Sequence, residues 1–145
     1  MYTIGQIAKI SNLPISTLRY YDKEGLFPDL KRISGIRQFS EKELDTLRII
    51  ECLKKSGLEI KDIKDYMHWS RQGEATLLQR RDLFEQQKIN VNEAIEKLKK
   101  VQDMIEYKCW YYNEAIRLGN ENSVKDMIPD QMPNSIQKCY INSRS

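Results

Sequence analysis

The side chains best suited to chemistry lie between residues 16 and 26, in the segment STLRYYDKEGL. A short helix over this segment turns Leu18 and Tyr21 inward, because they lie three residues apart on the same face. Gly25 ends the helix as a C′ residue. Four polar side chains are left to project outward, where they can contact DNA phosphates and bases: Thr17, Arg19, Tyr20 and Lys23. The segment therefore predicts the recognition helix of a winged-helix DNA-binding protein.

A first helix and a turn are expected to position this recognition helix. Thr3 and Gln6 have the spacing of a capping box, which starts a helix at about residues 4–10. Residues 11–14, with the sequence SNLP, predict a turn, and a second helix follows at about residues 15–24. The two helices and their turn form a helix-turn-helix.

The segment after the second helix has the pattern of a β-hairpin. Residues 30–39 form two short alternating arms around a Ser34-Gly35 centre. Three basic residues lie on the arms: Lys31, Arg32 and Arg37. A basic hairpin beside a helix-turn-helix predicts a wing that contacts phosphates or the minor groove. The alternative is a solvated surface loop.

Two further helices are expected to cover the back of the helix-turn-helix and complete its core. Ser40 and Glu43 form a second capping box, and the helix that follows ends near Gly57. Another helix follows and ends at Gly73. Apolar residues recur at helical spacing in both: Leu44, Leu47, Ile50 and Leu53 in the first, and Ile60, Ile63, Tyr66 and Met67 in the second.

A long helix is predicted from a third capping box at Thr76 and Gln79 to about Leu118, because this stretch contains neither Gly nor Pro. Six large apolar residues recur every seven positions and form a stripe: Leu77, Phe84, Val91, Leu98, Ile105 and Tyr112. The second seam is mixed: Arg81, Lys88, Ile95, Gln102, Cys109 and Ile116. One strong and one broken seam favour a coiled coil that is not a plain parallel zipper.

The length of this helix predicts a homodimer. A helix of about 43 residues spans roughly 65 Å, and no other segment of the chain is long enough to cover its stripe. A second copy of the protein is therefore expected to do so. The remainder, from Gly119 onward, is polar and contains Pro129 and Pro133, and we expect it to be irregular.

The expected fold is thus mainly α: a winged helix-turn-helix DNA-binding domain followed by a long coiled-coil dimerisation helix. The expected segments are 1–73 for the DNA-binding domain, 74–118 for the dimerisation helix and 119–145 for an irregular tail. The net charge of +3 is small, but its excess lies entirely in residues 1–73, with 13 Lys and Arg against 10 Asp and Glu. This distribution is a mild signal for phosphate binding, although ordinary surface scatter explains it equally well.

Several classes of protein are disfavoured by composition. The three cysteines, Cys52, Cys109 and Cys139, are widely spaced and include no CxxC pair, which argues against a disulfide framework and a zinc finger. Neither a signal peptide nor a membrane span is expected, so we expect a cytoplasmic protein that does not bind membranes. One histidine and no Gly-rich phosphate loop disfavour an enzyme or a cofactor. The rivals are an architectural or excisionase-like DNA-binding protein without an effector, and a coiled-coil adaptor.

Over about residues 2–118 the chain resembles the MerR family of bacterial transcription regulators. The most specific matches, in order, are TLRYY at residues 17–21, Gly25-Leu26, Arg32 with Gly35 and Arg37 in the wing, and Ser40 with Leu44 at the start of the next helix. The resemblance implies a homodimer joined by an antiparallel pair of long helices. Each subunit then places one recognition helix in the major groove of a palindromic operator, with half-sites about two helical turns apart.

In this family the operator usually lies between two promoter elements whose spacer is slightly too long for RNA polymerase. Effector binding makes the dimer bend and untwist the DNA. Carried over by position, Arg19 and Tyr20 are expected to contact phosphates, Thr17 and Lys23 to reach bases, and Arg37 to anchor the wing.

The resemblance disfavours a metal ion as the effector, since metal-sensing members carry a cysteine near the start of the dimer helix and residues 76–82 contain none. Cys52 lies where the aldehyde- and electrophile-responsive branch carries its cysteine. Lys54 and Lys55 are close in sequence and favour a thiolate. The alternative, slightly favoured from sequence, is that Cys52 is a small apolar residue at the edge of the buried helix face.

A small organic ligand is the second effector hypothesis. Residues 107–112 contain four aromatics, Tyr107, Trp110, Tyr111 and Tyr112, and His68 with Trp69 ends the fourth helix. Consecutive aromatics on a helix cannot all face one seam, so some must pack on another surface. They are expected to dock against the partner's fourth helix, with a ligand site as the less favoured alternative.

Overall fold

The computed structural model describes all 145 residues, and it is mostly helical with a single two-stranded sheet. The helix-turn-helix, the wing and the long helix predicted from the sequence are all present. In chain order the elements are α1 Ile4–Ser11, α2 Ile15–Lys23, β1 Lys31–Ile33, β2 Ile36–Gln38, α3 Glu41–Lys55, α4 Ile60–Arg71, a 3-10 turn Gly73–Thr76, α5 Leu77–Leu118, α6 Asn122–Lys125 and α7 Asn134–Arg144.

The chain divides into two compact units, Met1–Asn90 and Val91–Ser145. These limits differ from the three expected segments because the start of α5 packs against the helices that precede it. The hydroxyl of Ser56 donates to Oε1 of Gln87 over 3.1 Å, and the rings of Tyr66 and Phe84 meet edge to face at 5.4 Å. The first turns of α5 are therefore part of the first unit.

Local hydrogen bonds fix the ends of the helix-turn-helix as the sequence predicts. Thr3 and Gln6 form both bonds of the capping box, at 2.9 and 3.2 Å. At the end of α2, Gly25 has a φ of 81°, and the next residue, Leu26, donates its N–H to the carbonyl of Tyr21 over 3.0 Å. Only glycine adopts such a φ without strain, so Gly25 stops α2 in a Schellman motif.

The core of the first unit is formed by eleven side chains from α1 to α4 and the loops between them. Leu18 and Tyr21 of the recognition helix are both buried, as their spacing predicts. The full set is Ile7, Leu18, Tyr21, Leu26, Phe27, Phe39, Leu44, Leu47, Ile50, Leu53 and Ile63. All of the apolar positions of the third helix that were expected to be buried are included.

The wing is a tight antiparallel hairpin. Arg32 pairs with Arg37, and Ile33 pairs with Ile36 across a two-residue turn. The turn residues, Ser34 and Gly35, have positive φ values of 52° and 78°, as a type I′ turn requires. The hairpin prediction is confirmed, and the surface-loop alternative is wrong because the strands pair in register.

The third capping box does not form. The hydroxyl of Thr76 donates to the carbonyls of Trp69 and Gly73 instead, because a 3-10 turn from Gly73 joins α4 to α5. Arg80 donates back to the Gly73 carbonyl over 2.7 Å. The second capping box, between Ser40 and Glu43, is present.

The C-terminal region is helical, so the prediction of an irregular tail is wrong. Residues of α6 and α7 pack on the end of α5 and form a second core: Tyr107, Tyr111, Val124 and Met132. Pro133 is the N-cap of α7 and does not interrupt it. Proline is well tolerated at a helix start, where its missing N–H has no helical partner to lose.

The long helix α5 has 42 residues, in agreement with the predicted length. The six residues of the apolar stripe are between 38% and 66% exposed. Charged side chains interrupt the apolar positions throughout α5, and none of the helices in the structure is both long and apolar enough to cross a membrane. The stripe is therefore an exposed apolar surface in the single chain.

Candidate nucleic-acid interface

The recognition helix α2 presents a polar face to solvent. Arg19 and Lys23 are exposed, Tyr20 is 47% exposed, and Thr17 is half-buried. Lys23 follows Arg19 by four residues and Tyr20 by three, so these three side chains share one face of the helix. The opposite face holds the buried Leu18. The predicted set of outward side chains is thus available for contact with a nucleic acid.

A partly buried hydrogen-bond network holds Tyr21 away from this face. Its Oη donates to Oε1 of Glu51 over 2.8 Å and accepts from Nζ of Lys54, also over 2.8 Å. Burial, reinforced by the Glu51 carboxylate, raises the pKa of Tyr21 above its ordinary value, so the phenol stays protonated as a donor. Tyr21 therefore ties α2 to α3, in agreement with its predicted place in the core.

Asp22 joins the wing to the recognition helix. Its Oδ2 accepts from Nη2 of Arg32 over 2.6 Å and from Nε of Arg37 over 2.7 Å. The two arginines are cross-strand partners, so they project from the same face of the hairpin. The Asp22 side chain is only 12% exposed. One carboxylate thus relieves the repulsion between two guanidinium groups and fixes the hairpin against α2.

Asp22 was not among the residues selected from the sequence. The residues predicted to contact DNA are mostly basic, and Asp22 is an acidic residue between Tyr20 and Lys23 of this set. The signal was nonetheless present, because two arginines directly opposite each other in a hairpin repel and need a counter-ion. Asp22 is an acidic residue close to the predicted wing in sequence.

Replacing Asp22 by Asn should loosen the wing while leaving the core folded. The amide keeps the shape of the carboxylate but lacks the charge that both arginines share. Amide hydrogen exchange in the hairpin should accelerate by about tenfold, as expected for the loss of charge-assisted hydrogen bonds. The matched control is Asp29→Asn, which breaks the exposed pair with Lys42 and should leave the hairpin unchanged. Equal exchange rates in both variants would show that Asp22 does not hold the wing.

Cys52 is an exposed residue and is not part of the core of the first unit. Cys52 is exposed on α3 between the partly buried Glu51 and the buried Leu53. Nζ of Lys54 is directed at Tyr21 rather than at the thiol, because residues two apart on a helix face different sides.

No group of three or more His, Cys, Asp or Glu side chains in the structure is placed to hold a metal ion.

The aromatic effector candidates fall into two groups. Tyr107 and Tyr111 are 6% and 4% exposed, since the C-terminal helices of the same chain cover them. Trp110 is half-buried and stacks on Tyr107 with ring centroids 6.4 Å apart. The predicted docking of Tyr107 and Tyr111 on a partner's fourth helix is therefore wrong, because their own chain fills that role.

His68 and Trp69 lie in the first unit, at the end of α4. His68 is exposed, and its Nε2 lies 3.3 Å from the side-chain nitrogen of Gln72. Trp69 is half-buried and lines an open cleft of about 420 Å³ with Asp62, Asp82 and Leu83. This group and the tyrosine cluster each belong to their own compact unit.

Comparison with known proteins agrees with the geometry of the first unit. Residues 2–69 match the model of the MerR HTH family regulatory proteins. An HTH-type transcriptional regulator of Haemophilus influenzae is 40% identical over 133 residues, which cover 91% of this chain and 96% of that protein. The match with this relative thus extends well beyond the helix-turn-helix.

Solved structures show the same architecture. HiNmlR, a MerR family regulator that lacks the sensor domain and was crystallised with promoter DNA, superposes with a TM-score of 0.81 at 38% identity. The match covers 91% of this chain and 98% of that one. A MerR family transcriptional regulator from Bacillus thuringiensis is 46% identical, with a TM-score of 0.67, and covers 74% of this chain and 96% of its own.

Proposed function

The chain belongs to the MerR family of helix-turn-helix DNA-binding transcription regulators, and from this premise we propose that it binds a palindromic promoter operator as a homodimer and changes the shape of the DNA in response to an effector. The observation that carries the proposal is the exposed polar face of α2, held to a basic hairpin by Asp22. A recognition helix and a wing in fixed relation form one continuous surface for the major groove and its flank.

The residues of this surface divide into two roles. Arg19 and Tyr20 contact phosphates. Thr17 and Lys23 reach base edges in the major groove. In the wing, Lys31 is exposed and Arg32 is half exposed, so both are available to phosphates. Arg37 is more buried and positions the hairpin through Asp22.

Homodimer formation is supported by the apolar stripe on α5. Leu98, Ile105 and Tyr112 are 66%, 57% and 53% exposed in the single chain. The C-terminal helices cover Tyr107 and Tyr111 instead, and Tyr107 lies about half a helical turn away from Leu98 and from Ile105. The chain thus buries the back of α5 around Tyr107 and Tyr111 itself and leaves the stripe open for a second copy, in an antiparallel pair.

The proposed regulatory step is a deformation of the operator. The dimer holds the two recognition helices at a fixed separation, set by an α5 of about 63 Å. A change in the angle between them bends and untwists the DNA between the half-sites. RNA polymerase then meets the two promoter elements in a different relative orientation. The effector acts by favouring one of the two dimer conformations.

A thiol-reactive electrophile such as an aldehyde is the effector hypothesis that accessibility favours. Cys52 is exposed, whereas Tyr107 and Tyr111 are buried by their own chain. Cys52 also lies one residue from Glu51, whose carboxylate accepts the hydrogen bond from Tyr21 of the recognition helix. A group added to the sulfur would thus lie beside a contact between α3 and α2.

Replacing Cys52 by Ser should abolish an aldehyde response while preserving operator binding, because a hydroxyl is far less nucleophilic than a thiolate. The measurement is transcription from the operator in a purified system with and without an aldehyde. Cys109→Ser is the matched control, because Cys109 is also exposed but lies on α5. A full response in the Cys52→Ser protein would remove this residue from sensing.

Footprinting of the purified protein on the promoter upstream of its own gene and on neighbouring promoters tests the central proposal. We expect symmetric protection of two half-sites between the promoter elements, at a stated salt concentration. An unsymmetrical footprint or no specific protection would refute it. Protection without any change in transcription on addition of effectors would instead favour an architectural DNA-binding protein.

A further inference from the structure

The tip of the wing is apolar, although the rest of the hairpin is basic. Ile33 and Ile36 flank the turn, and each is 61% exposed. They are directly paired across the strands, so their side chains lie on the same face of the hairpin. Arg32 and Arg37 form the next pair and occupy the opposite face, where Asp22 holds them. Two large aliphatic side chains therefore lie together in solvent.

Hairpin formation alone does not require isoleucine at these positions. The paired strands need β-branched residues, and threonine or valine fulfils that need. Isoleucine adds apolar surface at the tip of the hairpin, where most of each side chain is exposed in the single chain. An exposed apolar pair next to a charged interface is typical of a contact surface.

The position of the pair indicates what covers it. Asp22 fixes the hairpin to α2, so the tip continues the surface that α2 and the wing present to DNA. Lys31 lies two residues before Ile33, on the same face as the isoleucine pair. The turn itself contains only Ser34 and Gly35, which makes the tip narrow. A narrow tip with basic residues behind it matches the minor groove, which is about 6 Å wide and lined by phosphates.

We propose that Ile33 and Ile36 enter the minor groove that flanks each half-site and pack against the deoxyribose walls. The inference rests on the proposed function, because it adds a contact to the same operator complex. Apolar side chains are frequent in minor-groove contacts, where they lie against sugars and base steps. The pair thus adds affinity through burial of apolar surface, whereas Lys31 and Arg32 add affinity through phosphate charge.

This division of roles predicts different salt dependences. Replacing both isoleucines by threonine keeps the hairpin but removes apolar surface. Operator affinity should fall by about tenfold, while the slope of log affinity against log salt stays unchanged because no phosphate contact is lost. The matched variant Lys31→Ala should lower both the affinity and the slope, the latter by about 1.8, because the dimer loses one phosphate contact at each half-site.

The experiment is a titration of each protein on its footprinted operator by fluorescence anisotropy at several salt concentrations, with hydroxyl-radical footprinting. Hydroxyl radicals cut at the sugars, so the wild-type protein should protect a minor-groove flank outside each half-site. The double threonine variant should lose protection of this flank alone. An affinity within twofold of wild type, or a flank still protected, overturns the minor-groove contact.

Three further outcomes separate the explanations. If the threonine variant shows faster amide exchange in the hairpin, the double valine variant is tested in its place. Its operator affinity should lie between the affinities of the wild-type protein and the threonine variant. An affinity equal to that of the wild-type protein overturns the proposal. Unchanged DNA binding with reduced transcription assigns the pair to RNA polymerase and also overturns it. A wild-type protein that protects no DNA refutes the proposed function itself.

Discussion

Replacing Leu98 by Asp should convert the proposed homodimer into monomers. Leu98 is 66% exposed in the single chain and lies in the middle of the apolar stripe of α5. A carboxylate at this position must be buried without a partner when two stripes meet. Removal of an unpaired charge from water costs about 3 to 5 kcal/mol. The substitution occurs in both copies, so a dimer bears the cost twice.

Sedimentation equilibrium is the measurement that checks this result. Ile89→Asp is the matched control, because Ile89 is 51% exposed on the same helix but lies half a turn from the stripe. The control should remain a dimer. Persistence of a dimer in the Leu98→Asp protein would refute the assignment of the stripe, and dissociation of both variants would show that a wider surface is involved.

Loss of the dimer should also weaken operator binding strongly. Two linked recognition helices bind with an effective concentration that a monomer lacks, and affinity should decrease by about a hundredfold or more. The helices of the first unit should keep their stability, because no side chain of its core comes from the stripe. Circular dichroism of the Leu98→Asp protein should therefore show a folded first unit.

The parts of the fold that depend on local signals were predictable from the sequence. Gly25 occupies a backbone conformation that glycine alone adopts easily, and the turn around Ser34 and Gly35 needs positive φ values. The capping box at Thr3 is likewise specified within four residues. Each of these features depends on neighbours in the chain, so residue type and spacing are sufficient to predict it.

Features that depend on distant residues were not predictable in this way. The Asp22 contact with the wing requires the hairpin to fold back onto α2 over 10 and 15 residues. The packing of α6 and α7 on Tyr107 and Tyr111 gives no periodic signal, because α6 is one turn long and α7 is amphipathic only weakly. Thr76 had the spacing of a capping box, but its hydroxyl donates to the carbonyls of Trp69 and Gly73, which precede α5.

The C-terminal helices also change what a cluster of aromatic residues indicates. From sequence alone, the aromatics of residues 107–112 predicted a partner or a ligand. In the structure, burial raises the pKa of Tyr107 and Tyr111, and the Tyr111 hydroxyl donates to Glu121 of the same chain. The same residue types thus form an internal core, and only Tyr112 of this group is left exposed as part of the stripe.

Replacing Arg19 by Ala should weaken operator binding by about tenfold and leave the dimer intact. Arg19 is exposed on α2, and none of the salt bridges within the chain includes it. Its charge is therefore free to meet a phosphate. A lost phosphate contact lowers affinity for all sequences similarly, and the loss of one contact in each subunit reduces the salt slope by about 1.8.

The matched control for Arg19 is Arg48→Ala, which removes the same charge from α3, where Arg48 pairs with Asp45. The two variants have equal net charge, so any difference between them reflects position and not general attraction to DNA. Titrations on operator and on unrelated DNA should show a parallel loss for Arg19→Ala and little change for Arg48→Ala. If Arg19→Ala weakened binding to the operator alone, Arg19 would read bases, and the division between phosphate and base contacts along α2 would have to be reversed.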